Sequence, residues 1–280
     1  MQLGISSYTY TWAIGVPGYP PERPLTALGL LDKAAGLGVH LVQVADNLPL
    51  DRLTAAELKA FECHAAGLEI NVEVGTRGIY PDHLRTYLRL AERLRSSILR
   101  VVVDTAGHHP TEDEIVSTIQ ALVPEFQCAR VCLAIENHDR FPAKVLARII
   151  ERIGSPYVGI CLDTVNSFSA LEVPEAVVET LRPWVVNLHV KDFAIRRASH
   201  MMGFIVEGRP AGQGQLNVSW LLQALGDQVR ERQAQNLDAC EPNAILELWT
   251  PPEQTLSDTI AKEEAWAAIS VAYLRQSIPG

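Results

Sequence analysis

Eight times along the chain a short run rich in Val, Ile and Leu is followed by a longer segment of helical spacing, and no other feature restricts the fold as much. The runs cover 3–10, 41–47, 69–75, 99–105, 131–137, 158–164, 185–192 and 244–250. Helical spacing follows over 24–38, 54–66, 80–95, 111–127, 141–153, 174–182, 217–233 and 255–276. Such alternation implies parallel strands with helices packed outside them, because a parallel connection needs a crossover long enough to hold a helix. Eight units predict an α/β fold, the closed (β/α)8 TIM barrel. Thr54, Thr111 and Asn217 precede helical runs as side-chain caps, and Gly38 and Gly67 stand just past helix ends.

The competing architecture, an open doubly wound sheet, carries a glycine-rich phosphate turn after its first strand. Here that segment reads Ser6-Ser7-Tyr8-Thr9-Tyr10-Thr11-Trp12, without a glycine. No low-complexity segment, linker or shift in composition divides the 280 residues. Barrels of about 250 residues commonly fold as one unit, so residues 1–280 are expected to form one barrel domain.

Composition then excludes several function classes. With 33 acidic and 24 basic side chains the formal charge is −9, whereas binding to a phosphate backbone is driven by clustered Lys and Arg. No apolar run reaches the ~18 residues of a membrane span, and no basic leader with an apolar core opens the chain. The expectation is a cytoplasmic protein whose partner is neither nucleic acid nor membrane. Cys63, Cys128, Cys132, Cys161 and Cys240 are odd in number and scattered, which does not suit a disulfide framework. Each is expected to be a buried, inert thiol.

Alternate side chains of a barrel strand point inward and outward. In 131–137 the larger Val131, Leu133 and Ile135 suit the helix layer, leaving Cys132, Ala134 and Glu136 inside. The same division of 158–164 places Gly159, Cys161 and Asp163 inside. Strand seven sets Asn187, His189 and Lys191 opposite Val186, Leu188 and Val190, and the eighth run sets Glu247 opposite Leu246 and Leu248. Four successive strands therefore end in Glu136, Asp163, His189 and Glu247 at the C-terminal mouth, where such barrels carry their active sites. Three carboxylates and an imidazole make a mostly hard-oxygen set, suited to Mn²⁺, Mg²⁺ or Co²⁺ rather than to a thiolate-rich zinc site. Without a cation, carboxylates crowded at one mouth would repel and their pKa values would rise.

In order and placement, Leu3-Gly4-Ile5-Ser6, Ile135-Glu136-Asn137-His138, Gly159-Ile160-Cys161-Leu162-Asp163, Leu188-His189-Val190-Lys191-Asp192 and Leu246-Glu247 resemble the sugar phosphate isomerase/epimerase superfamily, the xylose isomerase-like TIM barrels. The resemblance implies one divalent ion on Glu136, Asp163, His189 and Glu247, Mn²⁺ first with Mg²⁺, Co²⁺ or Zn²⁺ behind it, and Glu136 and Glu247 as acid and base. Many members have a histidine three residues after the strand-six aspartate. This chain has Asn166 there, so substrate handling at that position is expected to differ. The zinc apurinic endonucleases share the barrel but need more histidines than align here.

The connection 193–216 is long enough to be expected as an extended functional loop after strand seven. Its Arg196, Arg197 and Arg209 are expected to hold a substrate carboxylate or phosphate bidentately. The loop resembles that of members acting on oxo sugar acids, including 3-oxo-isoapionate decarboxylases. A contact between this loop and a second copy of the chain is the competing reading, which leaves a homo-oligomer open. His108 is a candidate for substrate hydroxyls, and Tyr8, Tyr10, Trp12 and Trp249 are candidates for the walls of a sugar pocket. His64 and His83 have no expected role.

The resulting expectation is a divalent-metal-dependent isomerase or epimerase of a small keto sugar or sugar acid, an anionic carbohydrate, acting through a stabilised enediolate with Lys191 steadying the oxyanion or pairing with a carboxylate. Loss of CO₂ from a β-oxo acid gives the same enediolate, so a decarboxylase or dehydratase of an oxo sugar acid is the alternative. A sugar-binding subunit on the same barrel is the reading outside catalysis.

Overall fold

The computed structural model describes residues 1–234 and 242–278. Strands β1 (Leu3–Ser6), β2 (Leu41–Val44), β3 (Asn71–Arg77), β4 (Ile98–Val102), β5 (Cys132–Glu136), β6 (Val158–Asp163) and β7 (Val185–Val190) follow one another, then β8 (Asp192–Arg197), β9 (Phe204–Arg209) and β10 (Asn243–Leu246). Eight of them close into a barrel in the order β1-β10-β7-β6-β5-β4-β3-β2, every neighbouring pair parallel. The crossovers hold α2 (Ala27–Gly36), α3 (Ala55–Gly67), α4 (Pro81–Leu94), α5 (Glu112–Ala129), α6 (Ala143–Ile153), α7 (Pro174–Leu181) and α8 (Val218–Ala234), with a single turn, α1 (Thr11–Ile14), before them and α9 (Leu256–Leu274) after β10. The chain is therefore the (β/α)8 barrel that the alternation predicts. None of the described helices is long and apolar enough to cross a membrane.

Local chemistry sets the boundaries. Thr54 and Glu57 form a reciprocal capping box on α3, Thr111 accepts from the Glu114 N–H, and Asn217 Oδ1 accepts from the Trp220 N–H at 3.1 Å. Gly38 follows α2 at φ +65°, while Gly67 is the last residue of α3 itself. The first strand is shorter than its apolar run. Ser6 Oγ accepts from Tyr8 N–H at 3.0 Å and Thr9 Oγ1 from Ser6 N–H at 2.9 Å, which winds Ser7–Tyr10 into a 3-10 turn. That turn lifts Tyr8 to the barrel mouth and drives Tyr10 into the core.

Strand parity is resolved as two separate apolar clusters. Leu99, Val101, Leu133, Ile135, Ile160, Leu162, Leu188 and Val190 pack outward with Leu84, Ile119, Leu146, Ile150, Val178 and Leu181 of the helices. Ile98, Ala134 and Cys161, joined by Cys132 and Val186, pack inside the barrel. Val186 departs from the outward parity of Leu188 and Val190 because the β6–β7 register shifts between Ile160 and Cys161. Gly159 makes room for it, since a Cβ there would lie 2.7 Å from Val186 Cγ1 and from Trp184 O.

The connection after β7 is not an irregular loop. β8 and β9 pair antiparallel from Asp192↔Arg209 to Arg197↔Phe204. The return of the chain is organised by Asp192, whose Oδ1 accepts from Phe193 and Leu216 N–H groups and whose Oδ2 accepts from Gly212 and Gly214. The expectation of buried thiols holds for Cys161 but not for Cys63 and Cys128, which are exposed on α3 and α5, or for Cys132, which is half-buried. A thiol is small and weakly polar enough for a helix to leave it outward at little cost. Cys240 lies outside the described residues.

Candidate functional site

At the C-terminal mouth the strand ends bring Glu136, Asp163 and His189 together with Glu247, which follows β10 and is tied by its N–H to Val190 O at 3.1 Å. All four are buried. His189 Nδ1 lies 3.3 Å from Glu136 Oε2, 3.5 Å from Glu247 Oε1 and 3.7 Å from Asp163 Oδ2. Asp163, His189 and Glu247 form one group able to share an ion, and Glu136 groups instead with His189 and Cys161.

The two glutamates differ. Glu136 has both oxygens taken, Oε2 by Arg100 Nε and Oε1 by Asn166 Nδ2 at 2.8 Å. Glu247 is held on one oxygen only, with Lys191 Nζ ion-paired to Oε2 at 2.8 Å while Oε1 has no hydrogen-bond partner. Lys191 Nζ is also 2.6 Å from Asp163 Oδ2, and its ammonium lies 5.7 Å from the centre of the Trp249 ring. Asp163 Oδ1 is occupied by the N–H groups of Val165 and Asn166, both at 2.9 Å, which leaves Oδ2 facing the mouth.

Electrostatics keep Asp163, Glu247, Arg100 and Lys191 charged. Burial opposes the Asp163 carboxylate, but Lys191 and His189 outweigh it and hold the group below the usual carboxylate range. Glu247 is held low against its burial by His189, Lys191 and Arg100. Burial likewise disfavours the Arg100 and Lys191 cations, and the carboxylates around them raise both. His189 Nδ1 and Glu247 Oε1 are buried without a hydrogen bond, and Asp163 Oδ2 and Glu247 Oε2 meet only the Lys191 ammonium. Buried polar atoms are normally satisfied, so this set of under-satisfied oxygens and one nitrogen fits a cation with oxygen and imidazole ligands.

Above this cluster lies a cavity of about 250 Å³ lined by Tyr8, Arg77, Arg100, Glu136, His138, Asp139, Asn166, Lys191, Glu247 and Trp249. A second cleft, about 480 Å³, shares Tyr8, Lys191 and Trp249 and adds Trp12 and the hairpin residues Val206, Glu207 and Gly208. Gly208 is required there, because a Cβ would lie 2.1 Å from Trp249 O.

Several sequence candidates lie elsewhere. Arg196 and Arg209 both bond Glu207, at 2.9 and 2.7 Å, while Arg197 stacks over Phe204 at 4.4 Å, so none of the three lines either space. They are consumed in holding the hairpin. His108 pairs with Glu114 at 2.8 Å, stacks on Tyr80 and lines neither space. Tyr10 is core, His64 pairs with Asp32, and His83 bonds Thr76.

The cations at the mouth come instead from positions the sequence reading passed over. Arg100, 2% exposed, spans Glu136 and Asp46, and Arg77 reaches Asp46 at 3.3 Å. Both are charged residues on the inward parity of otherwise apolar strands, the signal that identified Glu136 and Asp163. The same signal marks Gln43 and Glu73. Glu73 accepts three amide N–H groups, from Gln43, Asn187 and Asn243, at 3.0, 2.9 and 2.7 Å. Burial pushes its carboxyl above the ordinary range and the amides oppose that.

Comparison with known proteins agrees with this fold. Residues 31–260 match the family model described as xylose isomerase-like TIM barrel. Over 276 residues the chain is 33% identical to 3-oxo-isoapionate decarboxylase of Pectobacterium atrosepticum, covering 98% of this chain and 95% of that one. D-Psicose 3-epimerase of Clostridium cellulolyticum H10, solved with D-tagatose, superposes with a TM-score of 0.71 at 13% identity, over 99% of both chains. A xylose isomerase-like TIM barrel protein from Mycobacterium smegmatis, solved with magnesium, superposes at 0.64 with 12% identity over 97% of both. These are similarities to sugar-processing enzymes and, for the solved structures, similarities of fold.

Proposed function

The chain belongs to the xylose isomerase-like TIM-barrel family, and on that premise we propose that it is a metal-dependent decarboxylase of a small oxo sugar acid. The observation that carries this reading is the unequal state of the two glutamates. Interconversion of ketoses by two bases asks both glutamates to gain and lose a proton. Protonating Glu136 would forfeit its charge-assisted bond to Arg100, worth roughly 1.5–3 kcal/mol. Decarboxylation needs only one proton. The C–C bond to the carboxylate breaks, CO₂ departs, the electron pair forms an enediolate, and one proton returns to carbon.

Glu247, with Oε1 free and Oε2 paired to Lys191 at 2.8 Å, is suited to relay that proton from solvent to carbon, and Lys191 beside it supplies positive charge against the developing oxyanion. An anionic substrate in the cavity would meet Arg77, Arg100 and Lys191, which stand there beside Glu136, Asp139 and Glu247, and Tyr8 and Trp249 give it walls. Asp163, His189 and Glu247 would hold the divalent ion with Glu136 beside them, and the ion would stabilise charge on substrate oxygens as a Lewis acid. Mn²⁺ suits this donor set, with Mg²⁺, Co²⁺ or Zn²⁺ as alternatives. The 33% identity to a decarboxylase along almost the whole chain supports the same choice. Isomerisation, the first expectation from sequence, would use the same cluster but require Glu136 as a second base.

Incubation of the Mn²⁺-supplemented protein with a 3-oxo sugar acid and, separately, with a panel of ketoses tests the proposal. Release of CO₂ in step with a neutral ketose, with no change in the ketose panel, is the expected result. Interconverted ketoses without CO₂ would restore the isomerase reading, and turnover of neither class would favour a binding subunit.

A further inference from the structure

A polar relay inside the barrel begins at a group that can only donate. The backbone N–H of Gln2 bonds Asn243 Oδ1 at 3.2 Å, which turns Asn243 Nδ2 toward Glu73 Oε1 at 2.7 Å. Glu73 Oε2 accepts from Gln43 Nε2 at 3.0 Å and Asn187 Nδ2 at 2.9 Å. The second hydrogen of Gln43 Nε2 goes to Asn187 Oδ1, also 3.0 Å away, and Asn187 Oδ1 receives the Cys161 thiol at 3.4 Å as well. With its amide nitrogen committed twice, Gln43 can present only its carbonyl to His189, where Oε1 lies 2.7 Å from Nε2.

We infer that Gln43, oriented by Glu73, is a positioning residue that keeps the proton of His189 on Nε2 and so aims the lone pair of Nδ1 at Asp163, Glu136 and Glu247. Glu73 accepts from three amide N–H groups, so it selects one of the two orientations of the Gln43 amide, and that orientation selects the imidazole tautomer. The flipped amide would offer N–H to Nε2, drive the ring proton to Nδ1 and block the ligand atom. Hydrogen bonding of this kind to the far nitrogen of a ligand histidine also raises its basicity. Asn187 closes the network two residues before His189 on β7, and Gln43 and Glu73 reach it from β2 and β3. Gln43, Glu73, Asn187 and His189 are buried, Gln43 and Asn187 at 0% exposure, while Gln2 and Asn243 at the far end are half-buried.

The inference rests on the metal reading, and the test separates the two. Mn²⁺ dissociation constants are measured by calorimetry for the wild type, Gln43→Met, Glu73→Gln and the exchange Gln43→Glu/Glu73→Gln, with thermal unfolding confirming that each is folded. Gln43→Met should weaken Mn²⁺ about 10- to 100-fold. The exchange, which returns a carboxylate acceptor to His189 and an amide donor behind it, should recover affinity to within a few-fold of wild type. A purely structural role for the network would give no such recovery. Wild-type affinity in Gln43→Met overturns the relay while leaving the metal site standing. If the wild type binds no Mn²⁺, the metal reading fails, and ¹⁵N resonances of the His189 ring in the metal-free protein, recorded at a pH where the ring is neutral, then decide. A proton on Nε2 that is lost in Gln43→Met upholds the relay, and a ring protonated on Nδ1 alone overturns it.

Discussion

Glu247→Gln should lower turnover of an oxo sugar acid by about 10²–10⁴-fold, the usual contribution of a positioned proton carrier. The amide retains the shape of the side chain and one ligand oxygen but cannot return a proton to carbon. Because Glu247 has Oε1 free and is 1% exposed, no neighbouring carboxyl can take its place without displacing Arg100 or Lys191. Turnover in D₂O adds a second readout. The wild type should place deuterium on one face of the product carbon, and the residual product of the variant should carry it on both. Metal content measured on the same samples separates a lost proton carrier from a lost ion. Near-normal turnover with stereospecific deuteration would remove Glu247 from the chemistry.

Asp163→Asn should weaken divalent-ion binding by about 10³-fold or more. Three buried carboxylates face two fixed cations, Arg100 and Lys191, and this replacement removes the excess negative charge of the cluster. A unit charge pair at 4 Å contributes about 4 kcal/mol at an effective dielectric near 20, so losing one against a dication outweighs the residual ligand power of the amide. Calorimetric titration with Mn²⁺ measures the loss. Affinity within tenfold of wild type would mean that the ion, if bound, sits elsewhere.

The fold was legible because its signal is repetitive. Outward Leu133, Ile135, Ile160 and Leu162 and inward Ala134 and Cys161 follow from two-residue periodicity alone, and the clusters they form are those of the structure. Val186 escaped this reasoning because a register shift between neighbouring strands leaves no trace in one strand's own pattern. The same logic reached Glu136, Asp163, His189 and Glu247, which stand on the inward parity at strand ends.

Arg100, Arg77, Gln43 and Glu73 carried the same mark and were passed over because no short motif includes them. Their importance lies in contacts across the barrel, such as Gln43 to Asn187, that join residues far apart in the chain. The hairpin arginines show the reverse case. Arg196, Arg197 and Arg209 look available for an anion until the β8–β9 register places Glu207 between two of them and Phe204 under the third. Charge in a long connection therefore identifies a candidate, and only the pairing of its strands tells whether that charge is already spent.

The most direct test is CO₂ release from a 3-oxo sugar acid by protein stripped of metal with a chelator, assayed before and after addition of Mn²⁺. The site described here predicts no release from the stripped protein and full recovery at one equivalent of Mn²⁺ per chain, with no recovery in Asp163→Asn at that concentration. Release at the untreated rate by protein shown to hold no metal would contradict it.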